Sequence, residues 1–330
     1  MRTRFRSVRA GVRNGMVVGL LGYCLGYTLV TTSEPARSQE VAVAPPALAG
    51  SRIAPPVMRS DAPVPVARPA DPPVPVEGPA ETPAPAAAHW AAVNGSPGGV
   101  HPALRVPILM YHRVIDPAFA GRSLPELVVP PRLFLAQMTT LWNAGWRTID
   151  TATLAADLAT GTHPAPRSFV ISFDDGYPDG FTQAYPILKH LGFVATYYVV
   201  TGRIGWSDQL TAEELTQMAA AGMEIGDHTV DHLDLAELSA RDLRPEIDDA
   251  RTAILRTVGE APVSFAYPFG DLSPRVVAAV ASAGFEIAVT NREGVRETWA
   301  DRYDVPRLRV GPGTSPSGLL RQMARFASGS

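Results

Sequence analysis

The fold is decided by a stretch of eight residues, FVISFDDG at positions 169–176. Its first five residues are mostly apolar and include β-branched side chains, which is typical of a buried strand. Two adjacent carboxylates, Asp174 and Asp175, follow directly, and a glycine ends the run. Because side chains alternate along a strand, neighbouring Asp residues need not share one task, and one can face a metal ion while the other faces a substrate. The stretch therefore predicts a strand that delivers two charges to the mouth of a core.

The composition separates a folded part of the chain from a long proline-rich segment. The 330 residues carry a net charge of −3, so the chain shows no basic bias toward nucleic acid. Half of the 32 prolines lie within residues 34–103, where few aromatic side chains are available to bury. We predict a disordered, partly extended Pro/Ala-rich linker at 34–103 and a single folded domain at 104–330.

Residues 1–33 predict a segment for export. Five arginines precede an apolar run at residues 15–30, and this run is close to the lower length limit for crossing a bilayer. Such a pattern is typical of a signal anchor or a signal peptide. The residues after the run resemble a cleavage site only loosely, which favours a membrane anchor, with cleavage and secretion as the alternative. Either way we expect the folded domain to act outside the cytoplasm, in the periplasm or at the cell surface.

Strand and helix patterns alternate through the folded part. Seven short apolar runs predict strands at 106–111, 169–173, 195–200, 223–226, 263–267, 285–290 and 305–310. Amphipathic patterns predict helices between them, for example at 132–144, 211–221 and 239–258. The alternation favours an α/β fold with a mostly parallel sheet, either open or closed into a barrel. Functional groups are expected at the carboxyl ends of such strands.

Histidines follow two of the predicted strands. His112 follows the first strand, and His228 follows the fourth, with His232 four residues further on. If the chain turns helically there, the two later imidazoles meet on one side, and with one carboxylate they make a three-ligand site. That donor set suits a catalytic Zn²⁺, and Co²⁺, Ni²⁺ or Mn²⁺ can also use it. The alternative is that this histidine pair lies in an ordinary solvated loop.

Two of these motifs together resemble the polysaccharide deacetylase family, which is carbohydrate esterase family 4 with the NodB-homology domain. SFDDG at 172–176 resembles its first motif, and HTVDH at 228–232 resembles its second. The resemblance implies that Asp174 is the catalytic base. It also implies one divalent metal ion held by three ligands: Asp175, His228 and His232.

The other family motifs match less evenly. FAYPFG at 265–270 resembles the third motif, but Ala266 stands where the family often has an arginine. Arg307, on the last predicted strand, is our candidate for the missing group that orients the base, with Arg309 on the same strand as the alternative. From the third motif we expect three residues to bind substrate, with core packing as the alternative for the two aromatic ones: Tyr267, Pro268 and Phe269. The fourth motif is not visible.

The order of the motifs resembles a circularly permuted subgroup that acts on poly-β-1,6-N-acetylglucosamine. No histidine follows His232, whereas LMYHRV at 109–114 places an apolar-x-His pattern on the first strand. The resemblance implies an irregular seven-stranded (β/α) barrel in which His112 is the general acid. A closed barrel tolerates permutation because its first and last strands are neighbours.

The resemblance implies a metal-dependent enzyme that hydrolyses N-acetyl groups on a polysaccharide. The backbone N–H of Tyr177 is then the candidate donor to the oxyanion. We expect an acetylated polysaccharide as substrate, contact with the membrane through the N-terminal segment and no nucleic-acid partner; the sequence identifies no protein partner. The alternatives are deacetylation of peptidoglycan, chitin or an O-acetylated glycan, or a catalytically silent carbohydrate-binding protein.

Overall fold

The computed structural model describes residues 102–327. The predicted export segment at 1–33 and almost all of the predicted linker lie outside the described residues. In the described part of the chain, no helix has both the length and the apolar character needed to cross a membrane.

The described residues form a closed barrel of seven parallel strands. Around the ring the strand order is β1-β10-β9-β8-β7-β6-β5, and β5 pairs with β1 to close it. A short strand, β4, pairs in parallel with the first residues of β5, and β2 and β3 form a separate parallel pair. The strands are β1 (Ile108–Tyr111), β2 (Arg113–Val114), β3 (Val128–Val129), β4 (Arg147–Thr148), β5 (Ser168–Phe173), β6 (Thr196–Val199), β7 (Glu224–Asp227), β8 (Ser264–Ala266), β9 (Ile287–Glu293) and β10 (Val305–Arg309).

Helices connect each barrel strand to the next as far as β9, and one further helix follows β10. They are α1 (Pro131–Asn143), α2 (Thr151–Thr160), α3 (Tyr185–Leu191), α4 (Ala212–Ala220), α5 (Ala240–Val258), α6 (Pro274–Ser282) and α7 (Pro316–Ala327). The Thr211 side chain and Glu214 form a capping box that starts α4, and the Ser239 side chain caps α5. These are the ends that the sequence pattern predicts.

All seven predicted strands are barrel strands, so this part of the prediction is confirmed. The strand pattern alone leaves closure open, whereas the family resemblance implies a barrel, and the register of β1 against both β5 and β10 confirms the barrel. Every residue of β5 is buried, because helices cover one face of a parallel strand and the barrel interior covers the other. On the helix-covered face, Phe173 stacks on Tyr197 of the neighbouring strand with ring centroids 4.8 Å apart and contacts Phe134 of α1.

A buried carboxyl group holds the segment that leads into β1. The backbone of Glu297 forms two hydrogen bonds with Leu104, and its Oε2 accepts a hydrogen bond from the Val106 N–H. Glu297 is 0% exposed, and among the described residues its Oε1 has no hydrogen-bond partner. Burial raises the pKa of this carboxyl to about 8.

We expect Glu297→Gln to raise the free energy of unfolding relative to wild type, by an amount that grows as the pH rises. The folded protein keeps this carboxyl protonated above its ordinary pKa of 4.5, so wild-type stability is lost as the pH rises through about 8. One unit of pKa shift corresponds to about 1.4 kcal/mol, so the difference in the free energy of unfolding should grow by roughly 2 kcal/mol or more from pH 5 to pH 9. Urea unfolding across this range measures it. The exposed Glu260→Gln is the control, and stability curves for Glu297→Gln that run parallel to wild type would contradict the prediction.

Candidate active site

The carboxyl ends of five barrel strands bring most of the predicted site residues to one mouth of the barrel. β1 leads to His112, β5 to the two aspartates, β7 to the histidine pair and β8 to Phe269, while β10 carries Arg307. Residues that are far apart in the sequence meet there because all the strands run in the same direction.

Asp174 forms a two-pronged ion pair with Arg307. Arg307 Nη1 lies 2.7 Å from Asp174 Oδ1, and Nη2 lies 2.7 Å from Oδ2. Both residues are almost fully buried, with 2% of Asp174 and 1% of Arg307 exposed. Burial by itself would raise the pKa of Asp174, but the charge and hydrogen bonds of Arg307 outweigh it and lower the pKa below its ordinary value. Asp174 is therefore held as a buried carboxylate with one orientation.

Arg307 is itself fixed on every side. Its Nε donates to the Thr290 carbonyl, Nη1 donates also to Ser172 Oγ, and Nη2 donates also to Asn291 Oδ1. With the two bonds to Asp174, all five N–H groups of the guanidinium have an acceptor. A buried arginine is stable only when it is satisfied in this way, so the guanidinium has one well-defined position.

Asp175, His228 and His232 bring their ligating atoms within 4.8 Å of one another. Asp175 Oδ1 lies 3.5 Å from His228 Nε2 and 3.3 Å from His232 Nε2. His228 Nδ1 lies 2.7 Å from the Ala266 carbonyl oxygen. Because a carbonyl only accepts, Nδ1 carries a proton, which leaves Nε2, the atom that faces Asp175, as the nitrogen that would bind a metal ion in place of its own proton. The donor set therefore fits a divalent cation.

The electrostatics of the three groups also favour a cation between them. Burial raises the pKa of Asp175, but hydrogen bonds from both imidazoles hold it well below its usual range. Burial lowers the pKa of His228, but its hydrogen bond to Asp175 and the charges of the two aspartates raise it overall. The carboxylates thus draw positive charge into this cluster.

The histidine loop is not the helical turn that the sequence pattern suggested. Thr229 and His232 both have a positive φ, of 70° and 61°, and Asp175 has a φ of 74°. The Thr229 N–H donates to Asp227 Oδ1, and the His232 N–H donates to Thr229 Oγ1, so side chains hold this turn. Left-handed backbone at non-glycine residues is costly, and it concentrates here at the candidate ligands. The imidazole rings still meet, with centroids 4.8 Å apart.

His112 lies on the other side of Asp174. Its Nε2 is 3.9 Å from Asp174 Oδ2. Burial and the two arginines on β10 lower its pKa, and the two aspartates only partly oppose them. When protonated, His112 is therefore a stronger acid than a free imidazole.

A second buried ion pair joins the strand after His112 to the turn after Asp175. Arg113 Nε lies 2.6 Å from Asp179 Oδ1, and Arg113 Cζ lies 4.2 Å from the centroid of the Tyr177 ring. The Tyr177 carbonyl accepts from the Gly180 N–H, whereas its own N–H has no acceptor within residues 102–327. Sequence reasoning did not identify Arg113 or Asp179. The signal was a basic residue inside the otherwise apolar run that carries His112.

The third motif is placed differently from the expectation. Tyr267 is buried, its hydroxyl donates to the Tyr303 carbonyl and its ring packs on Phe265, so its side chain does not line a groove. Pro268 is also buried. Of the three expected substrate-binding side chains, only Phe269 presents a surface: it is 57% exposed, with its ring 4.8 Å from that of His232. The other two are corrected to packing residues, because both follow β8 in a turn that buries their side chains.

Comparisons with known proteins agree with this geometry. The family model for polysaccharide deacetylases matches residues 161–288. The Bacillus subtilis protein YxkH, whose name places it among polysaccharide deacetylases, is 32% identical over 215 residues, which are 65% of this chain and 75% of that protein.

A solved structure and a second relative extend the comparison. The Streptococcus pyogenes deacetylase PplD, solved with acetate, is 29% identical with a TM-score of 0.63, and the match covers 67% of this chain and 99% of that one. The poly-β-1,6-N-acetyl-D-glucosamine N-deacetylase of Staphylococcus aureus is 24% identical over 44% of this chain and 54% of its own length. With the barrel, the cluster of ligating atoms and these similarities together, the chain belongs to the polysaccharide deacetylase family.

Proposed function

We propose that this chain hydrolyses N-acetyl groups on an extracellular or cell-envelope polysaccharide, with poly-β-1,6-N-acetylglucosamine as the first candidate substrate. One observation carries the proposal: a buried carboxylate, Asp174, is clamped by Arg307 beside the Asp175, His228 and His232 cluster. A base separate from a ligand set is what metal-assisted hydrolysis of an amide requires.

Asp175, His228 and His232 would hold one divalent metal ion, with Zn²⁺ as the first candidate and Co²⁺, Ni²⁺ and Mn²⁺ as alternatives. Such an ion, when bound, polarises an acetamide carbonyl and lowers the pKa of a water molecule. The fit rests on the Ala266 carbonyl, which binds Nδ1 of His228 and leaves Nε2 as its ligating nitrogen, and on the spacing of the three ligating atoms.

The side chains of the site divide the proton transfers between them. Asp174 takes a proton from the attacking water, and Arg307 keeps its carboxylate ionised and oriented for that step. The backbone N–H of Tyr177 donates to the oxyanion that forms when water attacks the acetyl carbonyl. Protonated His112 then gives a proton to the sugar nitrogen as the C–N bond breaks, and acetate and a free amine are the products.

The choice of glycan rests on the first strand and on one relative. The acid candidate His112 directly follows β1, the first strand, as in the permuted subgroup that the sequence resembles. The S. aureus relative is named as an N-deacetylase of poly-β-1,6-N-acetyl-D-glucosamine. The basic and apolar segment at 1–33 supports the further proposal that the domain is exported and tethered to a membrane, or secreted after cleavage.

Acetate release tests the substrate. The protein is incubated with oligomers of β-1,6-linked N-acetylglucosamine, chitin, peptidoglycan fragments and an O-acetylated glycan at matched acetyl concentration. We expect the fastest release from the β-1,6-linked oligomer. Faster release from another glycan would move the assignment to that glycan, and binding of saccharide without any acetate would favour a silent binding protein.

Metal removal should abolish acetate release without unfolding the protein. We expect treatment with a chelator, followed by desalting, to lower the rate at least about 100-fold, because the polarising cation is lost. Stoichiometric Zn²⁺ should restore the rate, while the circular dichroism of the apo protein stays native. Undiminished turnover after elemental analysis has shown loss of the metal would contradict the assignment of these ligands.

A further inference from the structure

We propose that Trp206 is a stacking platform for a sugar ring, at a subsite beyond the sugar that is deacetylated. The inference rests on the proposed action on a polysaccharide and adds a second point of contact with the chain of sugars. Trp206 lies in the loop at 201–210, which follows β6 and is named here the rim loop.

The rim loop is bonded to the histidine loop on one side. The Thr201 N–H donates to the Thr229 carbonyl at 3.0 Å, and the Gly202 N–H donates to the Val230 carbonyl at 2.9 Å. A Cβ atom at position 202 would lie 2.7 Å from the Val230 carbonyl oxygen, so only glycine allows this close approach. One end of the rim loop is therefore fixed against the backbone between His228 and His232.

The other end is bonded to the turn that carries the aspartates. The Leu210 N–H donates to the Gly176 carbonyl at 2.8 Å, and Leu210 is buried. Within the loop, the Gly205 N–H donates to the Leu210 carbonyl, the Trp206 N–H to the Arg203 carbonyl, and the Gln209 N–H to the Trp206 carbonyl. The backbone that carries Trp206 is thus held from both sides of the candidate active site.

The indole ring itself is presented to solvent. Trp206 is 59% exposed and belongs to none of the hydrophobic clusters of the described residues. A single exposed apolar side chain is ordinary on a protein surface. What distinguishes Trp206 is that a fixed loop carries it at the mouth of the barrel, on the loop next to the histidine against which the exposed Phe269 packs.

A pyranose ring matches this surface. The C–H groups on one face of the ring are apolar and can cover a flat aromatic side chain, while the hydroxyl groups at its edge need polar partners. Arg203 and the exposed Asp208 lie on the same loop, and the Arg203 guanidinium donates to the Asp231 carbonyl. An aromatic platform with polar groups beside it is a recurrent form of small-ligand site.

Binding to an inactive protein tests this subsite separately from turnover. In the Asp174→Asn background, dimers and hexamers of β-1,6- and β-1,4-linked N-acetylglucosamine are titrated calorimetrically. We expect Trp206→Ala to weaken hexamer binding roughly 3- to 10-fold, in the range of aromatic stacking energies, and to leave dimer binding unchanged. Trp206→Phe should keep most of the affinity. Leu255→Ala is the matched control, because it also removes an exposed apolar side chain but lies on α5 and not on the rim loop.

Three outcomes would overturn the subsite. They are unchanged hexamer binding in Trp206→Ala, an equal loss for dimer and hexamer, and a hexamer that fails to bind the Asp174→Asn protein. In the otherwise wild-type chain, Trp206→Ala should raise KM for the hexamer and leave kcat unchanged. If no glycan is hydrolysed and the length-dependent binding loss is still seen, the proposed function fails and the subsite stands.

Discussion

Asp174→Asn should lower kcat at least about 1,000-fold while the metal content of the protein stays at the wild-type value. The asparagine amide has nearly the shape of the carboxylate, but it cannot accept a proton from water, and a positioned general base contributes about 10²- to 10⁴-fold. Its carbonyl oxygen can still accept one hydrogen bond from Arg307, but the guanidinium loses its counter-charge, so we expect a folded protein that is less stable than wild type. Acetate release and elemental analysis of the same purified sample measure the two quantities.

The matched control is the neighbouring aspartate. Asp175→Asn should lower both the metal content and the rate, because Asp175 Oδ1 is the oxygen that faces both imidazoles. Added Zn²⁺ at high concentration should restore part of the rate of Asp175→Asn and none of the rate of Asp174→Asn. Loss of metal from the Asp174→Asn protein would contradict the separation of base and ligand proposed for the pair.

Arg307→Met should lower kcat about 100-fold and also destabilise the fold by about 3–5 kcal/mol, which is typical when one partner of a buried ion pair is removed. Without the guanidinium, burial raises the pKa of Asp174 unopposed by that charge, so the base is less readily ionised and loses its fixed orientation. Arg307→Lys keeps the charge but not the two-pronged geometry, so its rate should lie between those of wild type and Arg307→Met. Steady-state kinetics and urea unfolding of each variant measure the effects.

Two comparisons separate the action of Arg307 on the base from its effect on stability. Arg292→Met removes a surface ion pair with Asp304 and should change neither the rate nor, beyond about 1 kcal/mol, the stability. When Arg307→Met is added to Asp174→Asn, kcat should fall little further, because the arginine acts through the carboxylate that is already missing. Equal losses of rate in the two backgrounds would show that Arg307 does not act through Asp174.

The sequence predicted the strands well because each is a short apolar run bounded by polar residues. The stretch at 169–173 reads as a strand without any tertiary information, and it forms most of β5. Closure of the barrel could not be read in the same way. It depends on Leu109 pairing with both Ile171 and Leu308, and no local pattern encodes a contact over that separation.

The site shows the same division between local and distant information. The aspartates and histidines stand out because strong polar residues follow strands, which is a local signal. The contact of Arg307 with Asp174 could only be a hypothesis, because it required the barrel to close in one particular register. Arg113 was missed because a lone arginine after a histidine looks the same in sequence whether it is solvated or buried against Asp179. Tyr267 was wrongly expected to bind substrate, because the sequence does not reveal whether an aromatic side chain beside a proline is buried or exposed.

The pairing of β10 with β1 also determines when the candidate site of a newly synthesised chain is complete. Synthesis completes the ligand trio after β7, but the guanidinium that keeps Asp174 ionised arrives with β10, far later in the chain. Until that last strand docks beside β1, the carboxylate lacks its counter-charge, and pairing over such a sequence separation is intrinsically slow. In the proposed mechanism, a domain without β10 therefore has the candidate metal ligands but no ionised, oriented base. The proposed site is complete only when the two ends of the domain meet.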